Sequence, residues 1–499
     1  MTTSRLSYVL SAIIFLTAVV RVWLSSLNHD AAWLVWAGER VRGGAQLYTD
    51  IIEVNPPLIF WLGRPAAWIS DVTGLSVGGG YKAWVFLLAA ASLILSAQLL
   101  RRMTPAPGPW ALPVLTFALT WLAADQFAQR EHFMAILILP YVLLVALRAG
   151  GARASVKSAA FIAIFAAAGL CIKPYYMAVP AALELYLLFK IGLRPALKRP
   201  EPWVIAGCAL AYVGAIAILT PQYFGAAFGY ISDVYSAGFK ADSEAVILGL
   251  WPFWLAVLIG AVCAVRLRPA FSDIAPVYMA ASLTVLALLC GYFIQFKGWT
   301  NHAYPVLAYA LFPAFAGMAA LWRHRDGLKI YAGLMGIGVA ALAVFAPFNA
   351  TWQRADLRDI SAYLKTQHNA ESIFIMSANL YDGFPLVTEH NLEWGSRFAS
   401  LWLTPGLQAP RDRLRADLQL RLAEAEAFTK SALAQDLAAS KPDVILVDVR
   451  ERKNMFRAPY DYIADFSTDP DFAREFSKYK QADWPGKYAL YVRRTGAPD

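Results

Sequence analysis

The first 349 residues of this 499-residue chain hold a succession of apolar runs, near 7–26, 81–100, 110–125, 132–148, 158–172, 174–190, 202–220, 246–265, 274–293, 303–321 and 329–347. A helix needs about 20 mostly apolar residues to cross the hydrocarbon core of a bilayer. The pattern therefore predicts a polytopic α-helical membrane protein with about 11 transmembrane helices. The chain is 58% hydrophobic and only 16% charged, whereas soluble domains carry about one quarter charged residues. What charge there is concentrates in short loops and beyond residue 349. Two domains follow: a membrane domain over 1–349 and a soluble C-terminal α/β domain over 350–499.

The basic residues predict the orientation. Arg5 precedes the run Leu6 to Leu24, which no small-residue cleavage site follows, so it reads as a retained span rather than a signal peptide. Residues 56–70 are apolar but short. If they do not cross, then Arg101-Arg102, Arg148 to Lys157, Lys190 to Arg199, Arg266 to Arg268 and Trp322 to Lys329 share one side with Arg5. Under the positive-inside rule that side is the cytoplasm, and 56–70 lies at the interface. The opposite face then receives the first loop 27–80, Asp125 to His132, the loop 221–245, Gln295 to His302 and, with an odd number of spans, the C-terminal domain. A formal net charge of +9 arises from these loops, so it does not indicate nucleic acid. Cys171, Cys208, Cys263 and Cys290 all fall in apolar runs and read as packing residues without disulfides.

In the C-terminal part, Ser372 to Met376, Val444 to Val447 and Tyr488 to Val492 read as buried strands, and 411–439 as a helix.

Carboxylates at a membrane edge are costly unless something uses them. Asp30 and Glu53 flank an amphipathic stretch, 30–43, rich in Trp and ended by Gly43-Gly44, and Pro56-Pro57 opens the next helix. A carboxylate within reach of a hydroxyl can take its proton, and a second can orient the acceptor or hold a metal ion. Equally, Asp30 can cap the helix and Glu53 be solvated. Arg130, Glu131 and His132 form a charged turn on the same face, either a third acid converging on the site or a simple cap. Lys173, followed by Pro174 and Tyr175, lies on the outward side against the charge trend. It could bind a phosphate or snorkel to the interface. Lys297, His302 and Tyr304 form a cationic and aromatic stretch suited to a lipid phosphate or to an aromatic belt. His324 and His390 read as surface residues. No P-loop, G-x-S-x-G, H-E-x-x-H or paired C-x-x-C occurs, which argues against nucleotide-driven pumps and nucleotide-sugar enzymes.

Residues 28–62, the Gln129 to His132 loop, Gly169 to Pro174 and His302 to Pro305 together resemble the GT-C superfamily of membrane glycosyltransferases. The nearer likeness is to the branch holding protein O-mannosyltransferases and the lipid A aminoarabinose transferase. The likeness covers roughly residues 7–347. It implies a GT-C-like fold and an inverting sugar transfer from a polyprenyl-phosphate donor to a hydroxyl of a lipid, glycan or protein on the periplasmic face. It also implies Asp30 as general base, Glu53 as second acid, and Lys173, Lys297 and His302 near the donor phosphate. Where the family usually presents an Asp in the second outward loop, this chain has Arg130-Glu131-His132. No cofactor is required on this reading, although three acids on one face could hold a divalent cation. A lipid or sugar transporter, a flippase, a polyprenyl-diphosphate-dependent ligase or polymerase (for which Arg64 and Arg130 are candidates) and a scaffold are the alternatives.

Overall fold

A computed structural model describes residues 3–104, 107–235, 238–255, 275–323, 355–408, 416–453, 455–484 and 487–494. The expected span at 329–347, residues 256–265 of another, the loop Arg266 to Arg268, Cys263 and His324 lie outside the described residues. By internal packing the chain divides into two units. One comprises residues 1–26, 61–215 and 241–352; the other comprises 27–60, 216–240 and 353–499.

The first unit is a helical bundle. Its elements begin with α1 (Thr3–Trp23), and α3 (Leu58–Thr73), α4 (Val77–Arg102), α5 (Ala111–Leu119), α6 (Arg130–Ala149), α7 (Val156–Leu170) and α8 (Ala178–Ile191) follow; α2 (His29–Arg42) belongs to the second unit. The helices Pro200–Leu219, Ala275–Gln295 and Thr300–Arg323 complete the bundle. Helix α6 is its axis. It is buried along almost its whole length and packs on α4, α7, Ala275–Gln295 and Thr300–Arg323. Glycine sets one of those contacts. A Cβ on Gly169 of α7 would come within 2.8 Å of the Leu137 side chain of α6, so only glycine lets these helices approach so closely. By contrast α1 and Pro200–Leu219 expose Leu16, Leu210 and Ile218 over their outer faces, as lipid-facing helices do.

Five helices among the described residues are long and apolar enough to cross a membrane: Arg5–Trp23, Val77–Arg102, Arg130–Ala149, Pro200–Leu219 and Ala275–Gln295. Several expected spans are shorter or broken. The run 110–125 forms the nine-residue α5 and then turns, with a 3-10 turn at Ala124–Gln126, and 174–190 begins with a 3-10 turn at Pro174–Met177. Near 246 a six-residue helix, Ser243–Leu248, ends in a turn. Hydropathy cannot see these breaks, because the turns carry apolar residues too. Irregular backbone at such depth is tolerated where protein buries it.

The ends of the bundle sort by charge. Arg101, at the end of α4, lies over the Tyr8 ring of α1 at 4.8 Å. Arg102 donates to the Arg153 carbonyl just after α6, and Arg148 pairs with Glu201. The start of α1 and the three basic loops near 101, 150 and 199 thus share one end. At the other end, Lys82 Nζ in the first turns of α4 donates to the Ser25 carbonyl after α1 at 2.6 Å. The segment between α1 and α4 therefore returns to the end it left, and α3 makes no net crossing. Helix α3 packs on the start of α4, where a Cβ on Gly80 would meet Ser70 Oγ at 2.1 Å.

The second unit contains a five-stranded sheet in the order β2-β1-β3-β5-β4, formed by β1 (Ser372–Met376), β2 (Glu393–Trp394), β3 (Val444–Asp448), β4 (Tyr479–Ala482) and β5 (Tyr488–Arg493). Strand β1 runs parallel to β2 and β3, while β5 is antiparallel to β3 and β4. The expected strands are β1, β3 and β5, and the expected helix is Ala416–Ser440. β2 and β4 have two and four residues with exposed positions, too short and polar for a pattern to reveal. Residues 27–60 and 216–240 pack in this unit.

Candidate functional site

In the helical unit the polar site is built where three chain segments break. Gln129 precedes α6, which places Glu131 in its first turn, where the helix dipole favours a carboxylate. Lys173 follows the end of α7 in extended conformation, φ −142° and ψ 138°, as the proline after it requires. His302 lies in the first turn of Thr300–Arg323, after Gly298 at φ +65°. These breaks bring the three side chains together. Lys173 Nζ donates to Glu131 Oε1 at 2.5 Å, and His302 Nε2 lies 3.6 Å from the same oxygen. Glu131 and His302 are sealed from solvent and Lys173 nearly so. Glu131 Oε2 and His302 Nδ1 are buried with no hydrogen-bond partner among the described residues.

Aromatic rings extend the cluster on both sides. Lys173 lies 5.8 Å from the Tyr175 ring, and Gly291 leaves that ring its room, since a Cβ there would approach it to 3.0 Å. Lys297 sits over Trp299 at 4.6 Å, and Trp299 lies 5.4 Å from the His302 ring. Arg130, adjacent and buried, adds a further cation whose field reaches Glu131. Glu131 thus has cationic side chains on more than one side. Charge buried in an apolar bundle is costly and is retained where a function uses it.

Two expected binding residues are otherwise engaged. His132 accepts the Ala128 N–H at Nδ1, 3.0 Å, and its Nε2 lies 2.8 Å from the Leu119 carbonyl, which fixes the Nε2–H tautomer. Tyr304 donates to the Ala118 carbonyl at 3.0 Å and packs against His132 at 5.6 Å. Both spend their polar atoms on backbone left open by the early end of α5.

In the other unit, Asn28 and not Asp30 caps α2: its Oδ1 accepts the Asp30 N–H at 2.9 Å. The capping role expected of Asp30 is thereby taken. Its carboxylate lies 3.8 Å from His29 Nε2 and is partly accessible. Glu53 is buried, not solvated. It accepts from Trp33 Nε1 at 2.5 Å, from the Asn55 backbone N–H at 2.9 Å and from the Asn55 side chain. Tyr48 adopts φ 70°, an unfavourable region for a bulky residue costing roughly 1–3 kcal/mol, and donates to the Asn55 carbonyl at 2.6 Å. Glu53 thus ties the strap Leu47–Asn55 to α2. Asn55 and Trp33 are the hydrogen-bonding neighbours of Glu53 that motif reading passes over, although each stands within the stretch that drew attention to it. Expected site residues thus gather as Glu131, Lys173 and His302, with Arg130, Tyr175 and Lys297 around them, and separately as Asp30 and Glu53 joined through α2.

No family model matches the chain, and no curated protein matches it. Among solved structures, it is similar to the crystal structure of ArnT from Cupriavidus metallidurans bound to undecaprenyl phosphate, at 13% identity and a TM-score of 0.57 over 99% of each chain. Agreement over the full length of both chains, at an identity too low for sequence matching, is a likeness of fold. The chain therefore has the fold of that structure, in this chain a polytopic bundle of apolar helices with a C-terminal α/β region.

Proposed function

We propose that the protein is an inverting membrane glycosyltransferase that moves a sugar from a polyprenyl-phosphate donor to a hydroxyl of an envelope lipid, glycan or protein at the periplasmic face of a bacterial inner membrane. The observation that carries this reading is the buried cluster of Glu131, Lys173 and His302, with Arg130 beside it, at the end of a membrane-length helix. Cationic side chains gathered in an apolar bundle suit the phosphate of a lipid carrier. The fold neighbour, which holds undecaprenyl phosphate, adds weight.

In the proposed reaction, Lys173 and Lys297, with His302, hold the donor phosphate. Glu131 orients Lys173 and tempers the local charge. Asp30 takes the proton of the acceptor hydroxyl. The acceptor oxygen bonds to the anomeric carbon as the bond from that carbon to the phosphate oxygen breaks, and its electron pair leaves on the phosphate. Neutralising that growing charge is the main electrostatic task. Glu53 holds Trp33 and Asn55 in place beside the base. This scheme needs no cofactor.

The test supplies purified full-length protein with undecaprenyl-phosphate-linked radiolabelled sugars and an envelope fraction as acceptor. Transfer of label with release of undecaprenyl phosphate is expected. Asp30→Asn should bind undecaprenyl phosphate as the wild type does, yet lose turnover by about 100-fold or more, the scale of general base catalysis. If the wild type fails to bind that lipid, or the variant transfers normally, the reading falls.

A further inference from the structure

The loop that carries Asp30 and Glu53 is too short to hold its own shape. Helix α2 has 14 residues, a length at which isolated helices are marginal. It is stabilised by packing, and the packing comes from the C-terminal domain. His29 meets the Tyr381 ring edge-on at 5.0 Å, and Trp33 meets Phe384 at 5.3 Å. Trp36 stacks on Trp33 and also faces Phe384. A second attachment lies 16 residues beyond Trp36. The Ile52 N–H donates to the Arg397 carbonyl at 2.8 Å, and Ile52 forms a parallel bridge with Phe398. Arg397 is itself fixed by Asp436, which accepts from its backbone N–H at 2.8 Å and its Nε at 2.7 Å.

The first attachment rests on a rigid loop. Between Tyr381 and Phe384 lies Asp382, fully buried and charge-paired. It accepts from Ser377 Oγ at 2.6 Å, Arg450 Nη2 at 3.0 Å and Tyr488 Oη at 2.7 Å. Arg450 also grips Asp448 through two nitrogens, at 2.7 and 2.8 Å. The loop after β1 is thus tied to the end of β3 and to β5. Such a set of buried charge-assisted bonds allows little movement.

We infer that the C-terminal domain is the clamp that positions the Asp30 and Glu53 loop, with Phe384 and Arg397 as its two contact points and Asp382 as the residue that stiffens the first. The bond from Trp33 to Glu53 joins the two attachments, so loosening either disturbs both carboxylates. The clamp itself is read from geometry; its consequence for turnover rests on the function proposed above.

Amide hydrogen exchange on the full-length protein tests it. In Phe384→Ala, exchange across residues 32–42 should quicken by at least about 10-fold, as a helix released from its packing does, while β3 amides stay protected. Phe384→Leu should restore most of the protection. Binding of undecaprenyl phosphate should stay within about threefold and transfer should fall about 10-fold or more, a split that general unfolding does not produce. Unchanged exchange in 32–42 overturns the clamp. If β3 exchange also rises, Arg397→Ala decides, with faster exchange at 50–55 expected and unchanged exchange refuting. Faster loop exchange with undiminished transfer leaves the clamp standing and removes Asp30 from the reaction.

Discussion

Replacing Lys173 by Met should be among the most damaging single changes in the helical unit, and the structure indicates how much. Lys173 Nζ and Glu131 Oε1 are 2.5 Å apart and nearly sealed from solvent. At an effective dielectric near 20 their attraction is about 6–7 kcal/mol. Removing the two groups from water costs several kcal/mol each, so the pair as a whole is near break-even. Removing one partner is different, because the buried carboxylate stays while its short bond disappears. Its Oε2 already lacks a hydrogen-bond partner among the described residues, and His302 Nε2 at 3.6 Å is a weak substitute. The expected loss is about 3–5 kcal/mol, or a fall of roughly 6 °C or more in melting temperature by the scaling for large domains. Glu131→Gln alone should lose a comparable amount. The double variant, with both charges gone, should return to within about 1.5 kcal/mol of the wild type, a coupling of at least about 4.5 kcal/mol. Thermal melting in detergent, followed by tryptophan fluorescence, measures all four corners of the cycle. Binding of undecaprenyl phosphate, measured alongside, should remain weak in the double variant even though stability returns. Two small and additive losses, each below about 1 kcal/mol, would refute the buried pair; strong lipid binding by the double variant would refute its role with the phosphate.

Glu53→Gln should lower stability by about 1–3 kcal/mol, because the amide nitrogen faces one of the three donors that the carboxylate satisfies; a changed emission from Trp33 and an earlier melt would report it. Gly80→Ala should lose about 1–3 kcal/mol through overpacking, since the added methyl meets Ser70 Oγ at 2.1 Å and the Ala66 carbonyl at 2.4 Å; an unaltered melting temperature would contradict the close approach of α3 and α4. His390 should make stability fall in mild acid. Burial, aided by Lys365 and opposed by Glu389, holds it below its ordinary value of 6.5. The unfolded chain therefore takes the proton first, and the contribution is fully present above pH 6.5 and lost as pH drops through 6.5 toward the folded value. Melting between pH 7 and 5 should show a shallower slope in His390→Gln, and equal slopes would sink this reading.

The sites were legible in the sequence to different depths. Asp30, Glu53, Glu131, Lys173 and His302 stand out because charge in or beside apolar runs is rare and costly. What each charge touches was not legible. Asp30 looked able to cap α2, yet Asn28 two residues earlier takes that bond, a choice between neighbouring side chains that local pattern does not separate. Nor does local pattern show that the His132 ring meets the Leu119 carbonyl left open by the early end of α5. His390 looked like a surface residue and is partly buried.

The sequence by itself determined the apolar bundle, the end that gathers the basic loops, three of the five strands and the long helix Ala416–Ser440. Hydropathy, charge and periodicity act residue by residue, through transfer between water and lipid or through a local repeat, so they can be read in one dimension. Only the tertiary structure decided that Lys173 meets Glu131 across 42 positions, and that the first loop packs with the C-terminal domain. Both depend on where helices stop and how closely they approach, as at Gly169. Those quantities arise from many packed neighbours at once, and no single stretch of the chain contains them.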